Sequence, residues 1–237
     1  MSTYLHPRAL LDQDMRIIRD DILRMGSLVE EQTARSVTAL KDRDLGMAHQ
    51  ITEVDERVNA LRYKIENECL RTMATQAPAA SDLRAILAAM HMAVELERMA
   101  DHAAGIARIV IRMGGEPLIK PLIDIPRMQM IVNEMIHASL DAYIQMDADM
   151  ARRVAERDDE VDALYQQVLR ELLTYMMADA KTITGATYLL WVAHNLERIG
   201  DRVTNLCERV IFAATGELKD YKPPKNTGPK AEPKANA

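Results

Sequence analysis

Apolar residues recur at steps of three and four along most of this chain, which is the period of an α-helix. The pattern first runs over residues 8–41, and a second run follows Asp44, whose side chain can cap a helix N-terminus. The second run closes at Gln76-Ala77-Pro78, because proline cannot continue a helix. A third starts at Pro78 or Ser81 and stops at Gly114-Gly115. The first half of the sequence therefore predicts three long helices.

The second half shows the same arrangement of apolar positions. Residues 116–126 contain three prolines and no helical period, so they separate the two halves. A fourth helix is predicted at about residues 127–145, and Asp147 can cap a fifth whose apolar positions continue to Leu172. A sixth is predicted from about residue 183 to residue 215, ending at Gly216.

Individual residues also recur between the halves. Asp55 and Asp158 are 103 positions apart, as are other residues of the second and fifth helices, whereas Glu97 and Glu197 are 100 apart. The change of offset falls where Pro78 already places a turn, and a length change confined to a turn supports a duplication. We therefore predict an all-α fold of two repeated antiparallel three-helix bundles.

The repeat and the composition together predict the domain boundaries of the chain. We expect a first bundle at residues 1–116, a Pro-rich linker at 117–126, a second bundle at 127–218 and a disordered tail at 219–237. The 48 % of hydrophobic residues can form a sizeable core, and the net charge of −6 does not favour a nucleic-acid binder.

The same features suggest where the protein works. No apolar run approaches the ~20 residues that span a membrane, and no apolar signal segment follows Met1. Cys69 and Cys207 lie inside helical patterns and are interpreted as reduced core thiols. We therefore expect a cytoplasmic protein with no segment inserted in a membrane.

Two helical turns carry the candidate chemistry. Glu97 and Asp101 lie four residues apart in the third helix, and Glu197 and Asp201 occupy the equivalent positions of the sixth. Carboxylates one turn apart repel each other, so a pair duplicated in register indicates a cation. An antiparallel neighbour would bring the second helix of each bundle beside these turns. The acids it would add are Asp55 in the first half and Asp158 and Asp162 in the second.

Such a set of oxygen ligands suits a hard cation such as Mg²⁺, Mn²⁺ or iron. We expect the second site to bind more tightly, because Asn59 stands in the first half where the second has a carboxylate. Arg108, two turns after Asp101, adds repulsion. His194 precedes Glu197 by one turn and could add a nitrogen ligand or be an ordinary helix histidine.

Other interpretations stay open at this point. Acid pairs also occur on solvated helix faces, where a neighbouring arginine such as Arg98 or Arg202 could neutralise them. Glu134 and His137 have the Glu-x-x-His spacing of carboxylate-bundle enzymes and metal stores, but the repeat counterpart of His137 is Ala34. There is no Gly-rich phosphate loop and no Cys-x-x-Cys motif. We therefore expect no enzymatic activity.

Three segments carry a resemblance to a known family. Residues 76–84 (Gln-Ala-Pro-Ala-Ala-Ser-Asp-Leu-Arg), residues 96–103 (Leu-Glu-Arg-Met-Ala-Asp-His-Ala) and residues 195–201 (Asn-Leu-Glu-Arg-Ile-Gly-Asp), followed by Asn205 and Glu208, resemble the PhoU family of phosphate-transport accessory regulators. The resemblance covers about residues 8–217. It implies a pair of three-helix bundles that restrains phosphate uptake and the phosphate-starvation response.

The resemblance also implies partners and ligands. The partners are the ATPase subunit of the phosphate ABC transporter, a membrane sensor histidine kinase and a second copy of the chain. The ligands that the resemblance implies are metal ions, usually iron or zinc, whereas manganese and magnesium come from the oxygen donor set described above. Where the family often has Asn-Ile-Ala-Glu, this chain has Gly105-Ile106-Ala107-Arg108. The positions that match the family's metal ligands are Asp55, Glu97, Asp101, Asp158, Asp162, Glu197 and Asp201.

Overall fold

Helices make up almost all of residues 7–217, the part of the chain that the computed structural model describes. No strand occurs within that range. The helices are α1 (Pro7–Asp42), α2 (Leu45–Gln76), α3 (Ala80–Met113), α4 (Asp124–Gln145), α5 (Ala148–Glu156), α6 (Asp158–Ala178) and α7 (Ile183–Thr215), with a 3₁₀ turn at Ala180–Thr182. The predicted all-α fold is confirmed. The tail predicted at 219–237 lies outside the described residues.

Most helix ends are those that the sequence predicts. The Asp44 carboxylate accepts a hydrogen bond from the Met47 backbone N–H at 2.9 Å, and Asp147 caps α5 in the same way. Gly114 and Gly216 close α3 and α7 with φ angles of 64° and 78°, a conformation that costs glycine little.

Two boundaries differ from prediction. The fourth helix begins at Asp124 rather than near residue 127, because Pro126 lies in its first turn, where a missing N–H costs nothing. The predicted fifth helix is interrupted at Arg157, whose carbonyl accepts a tight i→i+3 bond from the Glu160 N–H at 3.0 Å. The break gives the three acids that follow Arg157 a helix N-terminus, where the helix dipole stabilises negative charge.

Each half packs as an antiparallel three-helix bundle around one apolar stripe per helix. In the first half α1, α2 and α3 contact one another, and in the second α7 contacts α4, α5 and α6. The apolar stripe along α3 is buried in the core; its members are Met92, Leu96, Met99, Ala103, Ile106 and Val110. The two halves meet through α3 against α7 and α1 against α4.

Contacts across this junction are reciprocal, as an approximate internal twofold requires. Glu95 accepts hydrogen bonds from Arg202 at 3.3 Å and Asn205 at 3.2 Å. The repeat counterpart of Glu95 is Asn195, whose Oδ1 lies 3.1 Å from His102 Nδ1, and His102 is the counterpart of Arg202. The two halves are therefore related by a pseudo-twofold axis between α3 and α7.

The contact between α1 and α4 shows the same symmetry. Asn133 of α4 donates to the backbone carbonyl of Glu30 in α1 at 3.0 Å, and these two residues are 103 positions apart. A residue that contacts its own repeat counterpart lies next to the axis. The two acid turns are therefore placed symmetrically, one in each bundle.

Candidate metal centre

The second bundle brings its four candidate carboxylates together. Glu197 and Asp201 lie one turn apart in α7, and Asp158 and Asp162 lie one turn apart at the start of α6, which packs on α7. Burial, together with the negative charges of Asp162, Asp201, Glu197 and Asp159, raises the pKa of Asp158 from 3.8 to about 7. The acids around Asp158 therefore destabilise its charged form, and a nearby positive charge would stabilise it.

Asp158 is at the centre of this group. Its Oδ1 is buried and has no hydrogen-bond partner among the described residues. The carboxylate lies against the backbone of α7 at Gly200, where a Cβ atom would come within 2.7 Å of Oδ1. The repeat counterpart of Gly200 is Ala100, so only the second half has this close approach of carboxylate to helix.

A single arginine partly neutralises the second acid turn. Arg198 contacts Glu197 at 3.1 Å and Asp201 at 2.9 Å. His194 Nδ1 lies 3.5 Å from Glu197 Oε2, and burial followed by the charge of Arg198 lowers the pKa of this imidazole. His194 is thus a neutral group beside the acids, which is the form in which an imidazole can bind a metal.

The first bundle assembles its acids more loosely. Burial raises the pKa of Asp55, and the charges of Asp101 and Glu97 raise it further, whereas Arg108 lowers it. Asp101 is exposed, and Glu97 is bound by Arg62 Nη1 at 3.2 Å. Asp55 Oδ1 is buried without a hydrogen-bond partner among the described residues, like its counterpart Asp158.

Two residues at these sites escape prediction from sequence. Arg62, which binds Glu97 and Glu66, has Tyr165 as its repeat counterpart, so the first site contains a cation that the second lacks. Glu95 binds Arg98, Arg202 and Asn205. Asn205 therefore faces α3 and not the acids of α6. The sequence marks these two residues only in that each differs from its repeat counterpart: Arg62 from Tyr165, and Glu95 from Asn195.

The Glu-x-x-His motif of α4 lies on the surface. Glu134 binds Arg157 at 2.8 Å, and the exposed His137 lies 3.5 Å from Glu30 and 3.8 Å from Asp141. Glu134 thus forms a surface ion pair with Arg157, and His137 lies beside two surface carboxylates.

The donor set of the second bundle fits a hard cation. Four carboxylates, one of them with an unpartnered buried oxygen, are the ligands that such an ion prefers. Among residues 7–217, however, no three His, Cys, Asp or Glu side chains already stand at coordinating positions. A bound ion would therefore have to draw the carboxylates together and displace Arg198 from between Glu197 and Asp201.

A further property of the described helices concerns membranes. Within residues 7–217, none combines the length and the apolar character that crossing a bilayer requires.

Comparison with known proteins places both bundles in one family. The family model described as the PhoU domain matches residues 22–110 and again residues 125–210. The chain belongs to the PhoU family. The two matches correspond to the two repeats, and each contains one of the acid turns described above.

Relatives and solved structures agree over nearly the whole chain. It is 37 % identical over 214 residues to the phosphate-specific transport system accessory protein PhoU homolog of Pseudomonas aeruginosa, covering 89 % of this chain and 88 % of the relative. It is 33 % identical over 212 residues to PhoU of Escherichia coli K12, and the match covers 90 % of this chain and 88 % of that relative.

Two solved PhoU structures share the fold. The structure from Pseudomonas aeruginosa superposes with a TM-score of 0.83 at 38 % identity, covering 87 % of this chain and 99 % of the other. The phosphate transport system regulatory protein PhoU from Streptococcus pneumoniae superposes with a TM-score of 0.82 at 31 % identity, with shares of 89 % and 99 %.

Proposed function

We propose that this PhoU-family chain is an accessory protein of a phosphate transport system that restrains phosphate uptake and the phosphate-starvation response. The observation that carries the proposal is that the match to PhoU proteins extends over nearly the whole chain. Both bundles match the family, and the match spans 88 % of the Pseudomonas aeruginosa relative, whose name assigns it to that system. The chain therefore has both of the bundles that its relatives have.

Within this proposal the protein is a cytoplasmic adaptor. It binds the ATPase subunit of the phosphate ABC transporter and a membrane sensor histidine kinase, and it forms a homodimer. Exposed leucines at equivalent places of the two bundles support a protein-binding role: Leu70 is 53 % exposed and its counterpart Leu173 is 46 % exposed. Exposed apolar side chains that recur on both repeats give the molecule two similar faces for partners.

Metal binding is the second part of the proposal. Asp158, Asp162, Glu197 and Asp201 would hold a hard dication or iron in the second bundle, and Asp55, Glu97 and Asp101 would hold a weaker one in the first. The ion would supply positive charge that relieves the repulsion among the acids and ties α6 to α7. The residues of the chain position it: Gly200 lets Asp158 approach α7, and the helix break at Arg157 sets the direction of the first turn of α6.

The experiment is affinity capture of the tagged chain from phosphate-fed cells, with mass spectrometry and metal analysis of the eluate. We expect the transporter ATPase and the sensor kinase in the eluate, together with bound metal. Leu173→Ser should reduce capture of a partner, whereas Met130→Ser, at a residue 58 % exposed on α4, should not. An eluate free of both proteins would contradict the adaptor role, and a metal-free eluate would contradict the metal centre.

A further inference from the structure

A cleft of about 500 Å³ lies at one end of the molecule, away from the acid turns. It is formed by the beginnings of α1 and α3 and the ends of α4 and α7. Its volume is within the range of small-molecule sites, roughly 300–1,000 Å³. The residues that line it are Arg8, Asp12, Met15, Arg16, Arg19, Ser81, Asp82, Arg84, Ala85, Tyr143, Met146, Ala213 and Ala214.

The cleft carries more positive than negative charge. Both of its acids, Asp12 and Asp82, bind Arg8, at 3.0 Å and 2.8 Å. Neither Arg19 nor Arg84 forms an ion pair or a hydrogen bond with another residue of the described part of the chain, and Arg84 Nε is buried without a partner. Arginine binds oxyanions through a planar set of N–H donors, so these two side chains are available for an anionic ligand.

A buried tyrosine adds a neutral donor to the same cleft. Tyr143 lines the cleft and is only 4 % exposed, yet its side chain makes no hydrogen bond within residues 7–217. Burial raises the pKa of this phenol to about 12, although the positive charge of Arg19 acts in the opposite direction, so the hydroxyl keeps its proton. The hydroxyl is thus an unused hydrogen-bond donor at the wall of the cleft, from which a ligand oxygen could accept.

The helix that begins at the cleft favours the same kind of ligand. The first turn of α3 contributes Ser81 and Asp82 to the lining, and the N-cap residue Ala79 has no side chain that could satisfy the free backbone N–H groups. The start of this 34-residue helix therefore adds partial positive charge to the arginines and the tyrosine.

The twofold-related end of the molecule shows that the fold alone does not produce this cleft. There the equivalent cavity, lined by Leu40, Arg43 and Met113 among others, has a volume of only about 10 Å³. The counterparts of three cleft arginines and of the tyrosine are uncharged: Ile119 for Arg16, Leu122 for Arg19, Thr184 for Arg84 and Leu40 for Tyr143. The cationic cleft is thus a property of particular residues in one half.

We propose that this cleft binds the phosphoryl group of a small organic phosphate of about nucleotide size. The arginines, the start of α3 and the Tyr143 hydroxyl would hold the phosphoryl oxygens, and the apolar side chains of Met15 and Met146 would contact the organic part. The volume exceeds what a lone phosphate ion needs. The chain's own C-terminal segment does not complement the cleft, because residues 218–237 contain five lysines and only two acids.

The cleft is separate from the proposed metal centre. Ala85 and Glu97 are twelve residues apart in α3, which is about 18 Å along a helix. The inference therefore stands or falls independently of metal binding and of the adaptor role.

The test is isothermal titration of the full-length protein with ATP, with inorganic phosphate and with adenosine, all at the same ionic strength. Arg84→Gln should weaken binding of the phosphorylated ligand about tenfold, because it removes a charge-assisted hydrogen bond. Tyr143→Phe should weaken it by a smaller factor. The matched control is Arg112→Gln, which removes the same charge from an exposed site near the other end of α3 and should leave the affinity unchanged.

The three probes distinguish the possible ligands. Binding of ATP without binding of adenosine supports an organic phosphate, and binding of inorganic phosphate with equal affinity would assign the cleft to the free ion instead of the proposed ligand. No binding of either phosphate probe at millimolar concentration would overturn the proposal, as would equal losses in Arg84→Gln and Arg112→Gln.

Discussion

Replacing Asp158 by Asn should stabilise the metal-free protein, and by an amount that depends on pH. The carboxyl is the centre of four acids, and burial together with its neighbours raises its pKa from 3.8 to about 7. Because the folded form holds the proton more tightly than the unfolded chain, stability from this group is greatest at low pH and falls as the pH rises towards 7. Asparagine has the same shape and carries no charge at any pH.

The size of the stability change follows from the pKa shift of Asp158. Each pKa unit corresponds to about 1.36 kcal/mol, so a rise from 3.8 to about 7 is worth roughly 4 kcal/mol above pH 7. Between pH 5 and pH 8 the parent should lose about 2.7 kcal/mol from this group. The gain from Asp158→Asn should therefore grow by about 2–3 kcal/mol from pH 5 to pH 8.

The assay is urea unfolding of chelator-treated parent and variant at pH 5 and pH 8, followed by circular dichroism. Asp55→Asn is the matched control, because its position is equivalent but Arg108 lowers the pKa of Asp55; it should show a smaller pH-dependent gain. A difference between Asp158→Asn and the parent that is the same at both pH values would refute the argument from repulsion among the acids.

Three further predictions concern the same helices. Calorimetric titration with Mn²⁺ or Fe²⁺ should lose its tighter phase in Asp201→Ala and keep it in Asp101→Ala, since the second site has more acids; the reverse assignment would contradict this. Gly200→Ala should weaken that phase several-fold, because the new Cβ would lie 2.7 Å from the Asp158 oxygen, and unchanged affinity would contradict the close approach. Gly26→Ala should lower the free energy of unfolding by about 1–3 kcal/mol, because its Cβ would lie 2.3 Å from Leu140 Cδ1; thermal denaturation would show this, and a stabilised variant would exclude it.

The sequence predicts the long helices of this fold well, because each helix buries one row of apolar side chains, and such a row repeats at steps of three and four along the sequence. The boundaries that it predicts correctly are those marked by a local signal, such as the Asp44 cap and Gly216. The break at Arg157 has no glycine or proline to mark it. The available signal was the run of three acids after it, which is typical of a helix N-terminus.

The candidate site is predictable only in part. Spacing within one helix places Glu197 beside Asp201, and the repeat pairs α6 with α7, so the four acids of the second bundle could be named. Which arginine binds which acid depends on side chains from other helices, and no spacing predicts that Arg62 reaches Glu97. The cationic cleft cannot be predicted from sequence spacing either, because its residues come from four helices that are distant in sequence.

The central claim is that this chain restrains phosphate uptake, and the most direct measurement is uptake of radiolabelled phosphate by phosphate-fed cells that lack the gene. We predict that uptake rises in those cells and returns to the parental rate when the full-length chain is supplied in trans. Uptake that is the same with and without the gene, in phosphate-rich medium, would contradict the claim.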